Sequence, residues 1–207
     1  MKRIGIYFSL VVMFIFMSVA CSDKSTDTPT ISVSEESTYE NTFTDLNLGV
    51  LFDFNLHLPH ADHRWIKLWV EKYENGKKDT EPLTKISYGN FPDESIDHHL
   101  GFGIIDPNND EGTLGFLYGS NMRTELIDIR GEFDQEYSNS LWDKALGEDD
   151  LQLRLNEPTI LAAYRETDNH TIEMVDLQDE TSVNRMIEQN NLVLLLKIMI
   201  EEEQDQD

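Results

Sequence analysis

One short segment concentrates the residues of this chain that are best suited by type to bind a metal ion. The segment NLHLPHADHRW carries His57, His60 and His63 at intervals of three residues, with Asp62 among them. Neutral imidazoles suit zinc, copper or nickel, and a site needs three or four converging ligands. The four residues therefore define a hypothesis, a zinc- or copper-type divalent metal site. Two further histidines are candidates for a remaining ligand position: His98 and His99.

A second interpretation of these histidines stays open beside the metal hypothesis. His57 lies on the polar side of a predicted strand that ends at Pro59, and His60 and His63 follow in the connection to the next strand. On a strand and loop, a spacing of three residues does not align side chains as it does on a helix. The alternative is therefore a solvated, polar end of a hairpin.

An aromatic stripe is the second candidate site. In WIKLWVEKY at 65–73, an aliphatic residue occupies each even position from 66 to 70, and aromatic or charged residues occupy the odd positions. If the even-numbered aliphatic residues face the core, the opposite face carries Trp65, Trp69 and Tyr73. This face is either covered by another strand or loop, or it is an exposed binding surface for a protein, peptide or glycan.

Alternation with a period of two predicts the elements that position these residues. Every even position from 46 to 58 is apolar, which predicts a long strand with one buried face. Asn75-Gly76 after the aromatic stripe is a strong signal for a hairpin turn. Further strands are predicted at 83–88, 99–105, 113–119, 124–133, 151–155, 159–166 and 171–177.

Two segments show helical spacing, and one long apolar segment closes the domain. Residues 139–147 and 181–190 predict short helices, and NLVLLLKIMI at 191–200 predicts a central last strand that is covered on both sides. The fold class predicted from this pattern is all-β, an antiparallel β-sandwich of immunoglobulin-like architecture, with one short helix before the last strand.

The first residues indicate export. Lys2 and Arg3 precede an apolar run from about residue 4 to residue 17, and small residues follow, as in a secretory signal peptide. Cys21 is the single cysteine of the chain and directly follows Val19-Ala20. This segment resembles the lipobox of bacterial lipoproteins, although Ser18 stands where an aliphatic residue is usual. The resemblance covers only residues 1–21. It implies cleavage before Cys21 and a lipid on its sulfur.

These features predict four parts of the chain. They are a signal peptide at 1–20, a lipidated cysteine with a Ser/Thr-rich tether at 21–42, a β-sandwich domain at 43–200 and an acidic tail at 201–207. The chain would then be anchored by lipid at the outer, extracytoplasmic face of the cell membrane. With its one cysteine lipidated, the chain would form no internal disulfide.

Charge and motifs narrow the function. With 40 acidic against 16 basic residues, the formal net charge is −24, which excludes a basic nucleic-acid-binding face. The sequence carries no nucleophile elbow, no phosphate-binding loop and no HExxH motif, so we predict no enzyme activity and no cofactor other than the metal considered above. The predicted function is a non-catalytic, lipid-anchored binding module, with a metal-binding surface lipoprotein as the alternative.

Lipidation of Cys21 can be tested by metabolic labelling. We expect radiolabelled palmitate to be incorporated into the wild-type chain in its producing cell and not into Cys21→Ala, because the thiol is the attachment point. Equal label on both chains, or none on the wild type, would reject the lipoprotein assignment.

Overall fold

The computed structural model describes residues 27–34, 37–105, 112–129, 139–147, 149–169 and 173–202. The predicted signal peptide, Cys21 and residues 203–207 of the acidic tail lie outside the described residues. Within these ranges, no helix is long and apolar enough to cross a membrane.

The described chain forms two antiparallel sheets. The strands of the first sheet are β1 (Thr30–Val33), β2 (Gly49–Pro59), β6 (Ser95–Ile105), β7 (Leu114–Gly119), β8 (Met122–Arg123), β9 (Ile127–Asp128) and β11 (Leu151–Gln152). Those of the second are β3 (Arg64–Glu74), β4 (Lys77–Lys78), β5 (Thr84–Gly89), β10 (Asn139–Lys144), β12 (Thr159–Thr167) and β13 (Leu192–Glu202). The first sheet has the order β11-β1-β2-β6-β7-β8, with β9 also paired to β7, and the second has the order β10-β12-β13-β3-β4, with β5 also paired to β3.

The alternating pattern places the core between these sheets, and the predicted all-β sandwich is confirmed. The even-numbered residues of β2 face inward, and Phe52, Phe54, Leu56 and Leu58 are each at most 1% exposed. Burying each such side chain contributes about 1.5–3 kcal/mol. Their partners across the sandwich include alternate residues of β3 and β13. The predicted turn is present as well, because Asn75 and Gly76 both have positive φ.

The last strand, β13, lies between β12 and β3 in the second sheet. One of its faces joins the central core, and the other packs with Val183, Met186 and Ile187 of the helix α2 (Glu180–Gln189). This second cluster explains why the strand is apolar at nearly every position. The predicted helix before a central, doubly covered strand is therefore confirmed.

The folded domain begins earlier than residue 43, which differs from the predicted tether at 21–42. Strand β1 pairs with β2 and β11, and its Ile31 is fully buried. A second helix, α1 (Thr38–Asp45), follows, and Ser37 caps it by accepting a hydrogen bond from the amide of Glu40. The segment is rich in Ser and Thr, but the pairing of β1 with two strands, the burial of Ile31 and the cap of α1 hold it in the folded domain.

Two other local predictions are wrong. Residues 139–147 do not form a helix: β10 pairs with β12 along an edge of the second sheet, where Trp142 lies opposite Tyr164. Residues 173–177, from the strand predicted at 171–177, belong to no strand of the described chain. In the first case, tertiary pairing outweighed local spacing.

Glu71, on the outer face of β3, is almost completely buried and interacts with several polar side chains. It accepts hydrogen bonds from Tyr73 and Trp69 and forms ion pairs with Lys78 and Lys197. Burial alone would raise the pKa of Glu71, but the lysines and the tyrosine outweigh it and lower the pKa from 4.5 to about 2. The ionised form is therefore strongly preferred in the folded protein.

This lowered pKa predicts how stability depends on pH. A carboxylate whose pKa is depressed on folding contributes stability above its unfolded pKa, and that contribution is lost as the pH falls through the folded value. We expect the gap in unfolding free energy between wild type and Glu71→Gln to be full at about pH 6 and to shrink towards about pH 2 in urea titrations. The exposed Glu81→Gln is the matched control and should show no such trend. A gap for Glu71→Gln that is constant with pH would contradict the assignment.

Candidate functional site

A groove of about 730 Å³ lies on the outer face of the first sheet. Helix α1 forms one wall, β6 and β7 form the floor, and the turn after β7 closes one end. Its lining includes five aromatic residues: Tyr39, Phe43, Phe91, Phe116 and Tyr118. The volume falls in the range of small-ligand sites, which are mostly apolar with a few placed polar groups.

Asp53 lies beneath the groove with its side chain fully buried, and its carboxylate binds the polar side chains of the groove floor. The Tyr118 hydroxyl donates to Oδ1 at 2.7 Å, and the Ser37 hydroxyl donates to Oδ2. Nδ1 of His99 lies 3.1 Å from Oδ1 and 3.0 Å from Oδ2. The carboxylate therefore fixes two groove side chains, one on β6 and one on β7, and the cap of α1.

The position of Asp53 follows from the alternation of β2. The residues on either side of Asp53 face the core, so Asp53 points to the outer face of the sheet. Helix α1 packs against β2 there and covers the Asp53 side chain. The backbone amide of Asp53 donates to Oε1 of Glu40 at 3.0 Å, and Glu40 also pairs with Lys144 on β10 of the other sheet. The helix is thus attached both to the strand beneath it and to the opposite sheet.

Glycines in β6 make room for the aromatic rings. Gly101 lies opposite Tyr118 in the register, and a Cβ at Gly101 would lie 2.8 Å from the tyrosine hydroxyl and 1.8 Å from the carbonyl oxygen of Phe52. At Gly103 a Cβ would lie 2.5 Å from the ring of Phe116. Side chains at these positions would therefore push both rings away from the sheet.

The hydrogen-bond directions fix the protons of the network. Burial, together with the charge of Asp53, raises the pKa of Tyr118, so the phenol stays protonated and donates. An ionised carboxylate only accepts, which requires the proton of His99 on Nδ1. In the neutral imidazole, Nε2 is then an acceptor. The His99 side chain is 41% exposed, so a ligand can reach it.

His98 belongs to the wall rather than to this network. Its Nε2 lies 3.0 Å from the Tyr88 hydroxyl, and its ring packs near Tyr88 and Phe91. Burial, with the neighbouring His99, lowers the pKa of His98 to about 4. Its Nδ1 is buried without a hydrogen-bond partner within the described ranges. His98 is therefore neutral near neutral pH.

The three histidines of the metal hypothesis lie near one end of the first sheet, but each faces a different carboxylate. Nδ1 of His57 is 2.8 Å from Asp97, and Nε2 of His60 is 3.2 Å from Asp27. His63 pairs with its neighbour Asp62 at 3.2 Å. Across the described part of the chain, no group of three or more His, Cys, Asp or Glu residues is placed to hold a metal ion. The metal site stays a prediction that this arrangement does not support.

The aromatic stripe is half-buried rather than fully covered or open. Tyr73 packs against the cluster beneath α2 and donates to Glu71. The indole of Trp69 reaches the same carboxylate, and Trp65 lies across Gly89 on the neighbouring strand. The stripe thus has structural contacts, and its use as a binding surface stays a prediction.

Residue spacing along the sequence did not predict the hydrogen-bond network of Asp53. One signal could have found its helix: Ser37-Thr38-Tyr39-Glu40 has the S-x-x-E spacing of a helix capping box. The sequence suggests His99 only as a further metal ligand, whereas in the structure its Nδ1 lies beside the carboxylate of Asp53.

The network predicts a large stability effect at Asp53. In Asp53→Asn, an amide group would face the donors of Ser37, Tyr118 or His99, and each buried donor left without an acceptor costs about 1–3 kcal/mol. We expect a loss of at least about 2 kcal/mol in denaturant unfolding. The matched control is Asp97→Asn, whose carboxylate is 81% exposed, and it should change stability by no more than about 0.5 kcal/mol. Similar small losses for both variants would rule out the buried network.

Neither protein-family models, nor curated proteins, nor solved structures gave a match to the chain. The function is therefore inferred from the groove itself, from its size, its aromatic walls and the buried carboxylate beneath it.

Proposed function

We propose that the protein is a non-catalytic binding module, held by lipid on Cys21 at the extracytoplasmic face of the cell membrane, that takes a small ligand in the groove. The observation that carries this proposal is the fully buried Asp53, which orients His99 and Tyr118 at the groove floor. Burying a charge costs several kcal/mol before its partners compensate, and an apolar residue would stabilise a sandwich at lower cost. Such an arrangement is typical of sites that fix polar groups for recognition.

The arrangement favours recognition over nucleophilic catalysis. A serine nucleophile is activated by a hydrogen bond to the histidine that removes its proton. Here the Ser37 hydroxyl donates to Asp53 instead, and it also caps α1 by accepting from the amide of Glu40. Both roles are structural, so His99 is left to contact a ligand.

The proposed anchor would keep the groove near the membrane. Cys21 precedes the first residue of β1 by nine positions in the sequence. Even fully extended, nine residues span about 30 Å. A domain on so short a connection would meet ligands of the cell envelope close to the lipid surface.

Filling the groove tests the proposal. Thr42 lines the groove on α1, whereas Thr38, one turn earlier on the same helix, is exposed and does not line it. We expect Thr42→Trp to block the site sterically and the matched control Thr38→Trp to leave it open. Each purified protein is incubated with a small-molecule extract of the producing cell's envelope, and bound compounds are identified by mass spectrometry.

At least one compound should be enriched on the wild type and on Thr38→Trp, and be reduced at least about tenfold on Thr42→Trp, which corresponds to about 1.4 kcal/mol. If no compound depends on position 42 while all three proteins are folded, the groove is not the ligand site.

A further inference from the structure

With His99 in its neutral form, the groove combines a fixed hydrogen-bond acceptor with an exposed aromatic ring. Nδ1 of His99 is occupied by Asp53, so Nε2 is the ring nitrogen left for a ligand. The ring of Tyr39 stands edge-on to the His99 ring, with 5.0 Å between centroids and 82° between planes. Tyr39 is 52% exposed, so part of its ring surface is open beside the acceptor.

Both groups are held by the same buried charge. Ser37 caps the helix that carries Tyr39, and its hydroxyl also donates to Asp53. The distance between the tyrosine ring and the histidine acceptor is therefore set before a ligand arrives. Such preorganisation reduces the entropy that binding must otherwise overcome.

The charges around the groove restrict the ligand. The chain has a formal net charge of −24, which repels anions. At the rim, Asp97 adds exposed acceptor oxygens and Arg123 adds donors. A ligand that satisfies both, and that also covers an aromatic ring, needs several hydroxyl groups around an apolar face.

We propose that the ligand is a neutral sugar, with a C–H face of its ring against Tyr39 and a hydroxyl that donates to Nε2 of His99. This inference rests on the proposed function and names the class of compound that the groove takes. A purely apolar ligand would leave the His99 acceptor without a donor, and a buried unsatisfied acceptor disfavours binding. An organic cation is the main competitor, because it too would be attracted to the acidic surface and to the aromatic rings.

Saturation-transfer NMR and calorimetry with defined compounds test the sugar assignment. The neutral probes are methyl β-glucoside, methyl β-galactoside, methyl β-N-acetylglucosaminide, cellobiose and chitobiose, and the comparison probes are glucuronate and choline. We expect at least one neutral probe to bind, with saturation transfer strongest at the C–H protons of one ring face.

Variants at Tyr39 and His99 separate recognition from folding. Tyr39→Ala should weaken that binding at least about tenfold, and Tyr39→Phe, which keeps the ring, should stay within about threefold of wild type. His99→Phe should abolish binding because it removes the acceptor. Since Tyr39 is half exposed, the Tyr39 pair keeps the test valid even if His99→Phe does not fold.

The outcomes distinguish this inference from the proposed function. Binding of choline alone, binding of no neutral probe, or equal affinity of wild type and Tyr39→Ala would overturn the sugar assignment. A compound from the envelope extract that depends on position 42 but is not a sugar would also overturn it, while leaving the groove as a ligand site. If no compound of the extract depends on position 42, the proposed function fails as well.

Discussion

The groove side of this protein depends on one carboxylate without access to solvent. An ionised group in the interior is tolerated only when donors surround it, and Asp53 has donors from Ser37, His99 and Tyr118. These donors come from the cap of α1, from β6 and from β7, so elements that are distant in sequence converge on one charge. The same charge thereby fixes the wall and the floor of the groove in relation to each other.

The sheets could be predicted because alternation directly reports burial of one face. The apolar even positions of β2 and the continuous apolar run of β13 both follow from what covers each strand. Predictions from local spacing were wrong where pairing or packing with a distant segment determined the conformation. Residues 139–147 became an edge strand because β12 was there to pair with, and Ile31 joined the core from a segment whose composition is that of a linker.

The groove could not be predicted because its key residue looks ordinary in the sequence. An aspartate on the polar side of a strand is expected to be solvated, and only the packing of α1 makes Asp53 a buried group. In the sequence, Gly101 indicates a less stable strand, although in the structure it provides space for Tyr118. Spacing along the sequence also does not show what the histidines contact. The register across the sheet places His57 beside Asp97, forty residues away.

The pairing of β3 with β13 has a consequence for the order of folding. All eleven residues of β3 pair with the last described strand, which lies more than a hundred residues later in the chain. Pairings between distant segments form slowly, because closing a long loop costs entropy before any contact compensates it. The second sheet therefore cannot be completed until Leu192–Glu202 has been synthesised. In the nascent chain, the side of β3 that pairs with β13 stays without its partner strand while more than a hundred further residues are added.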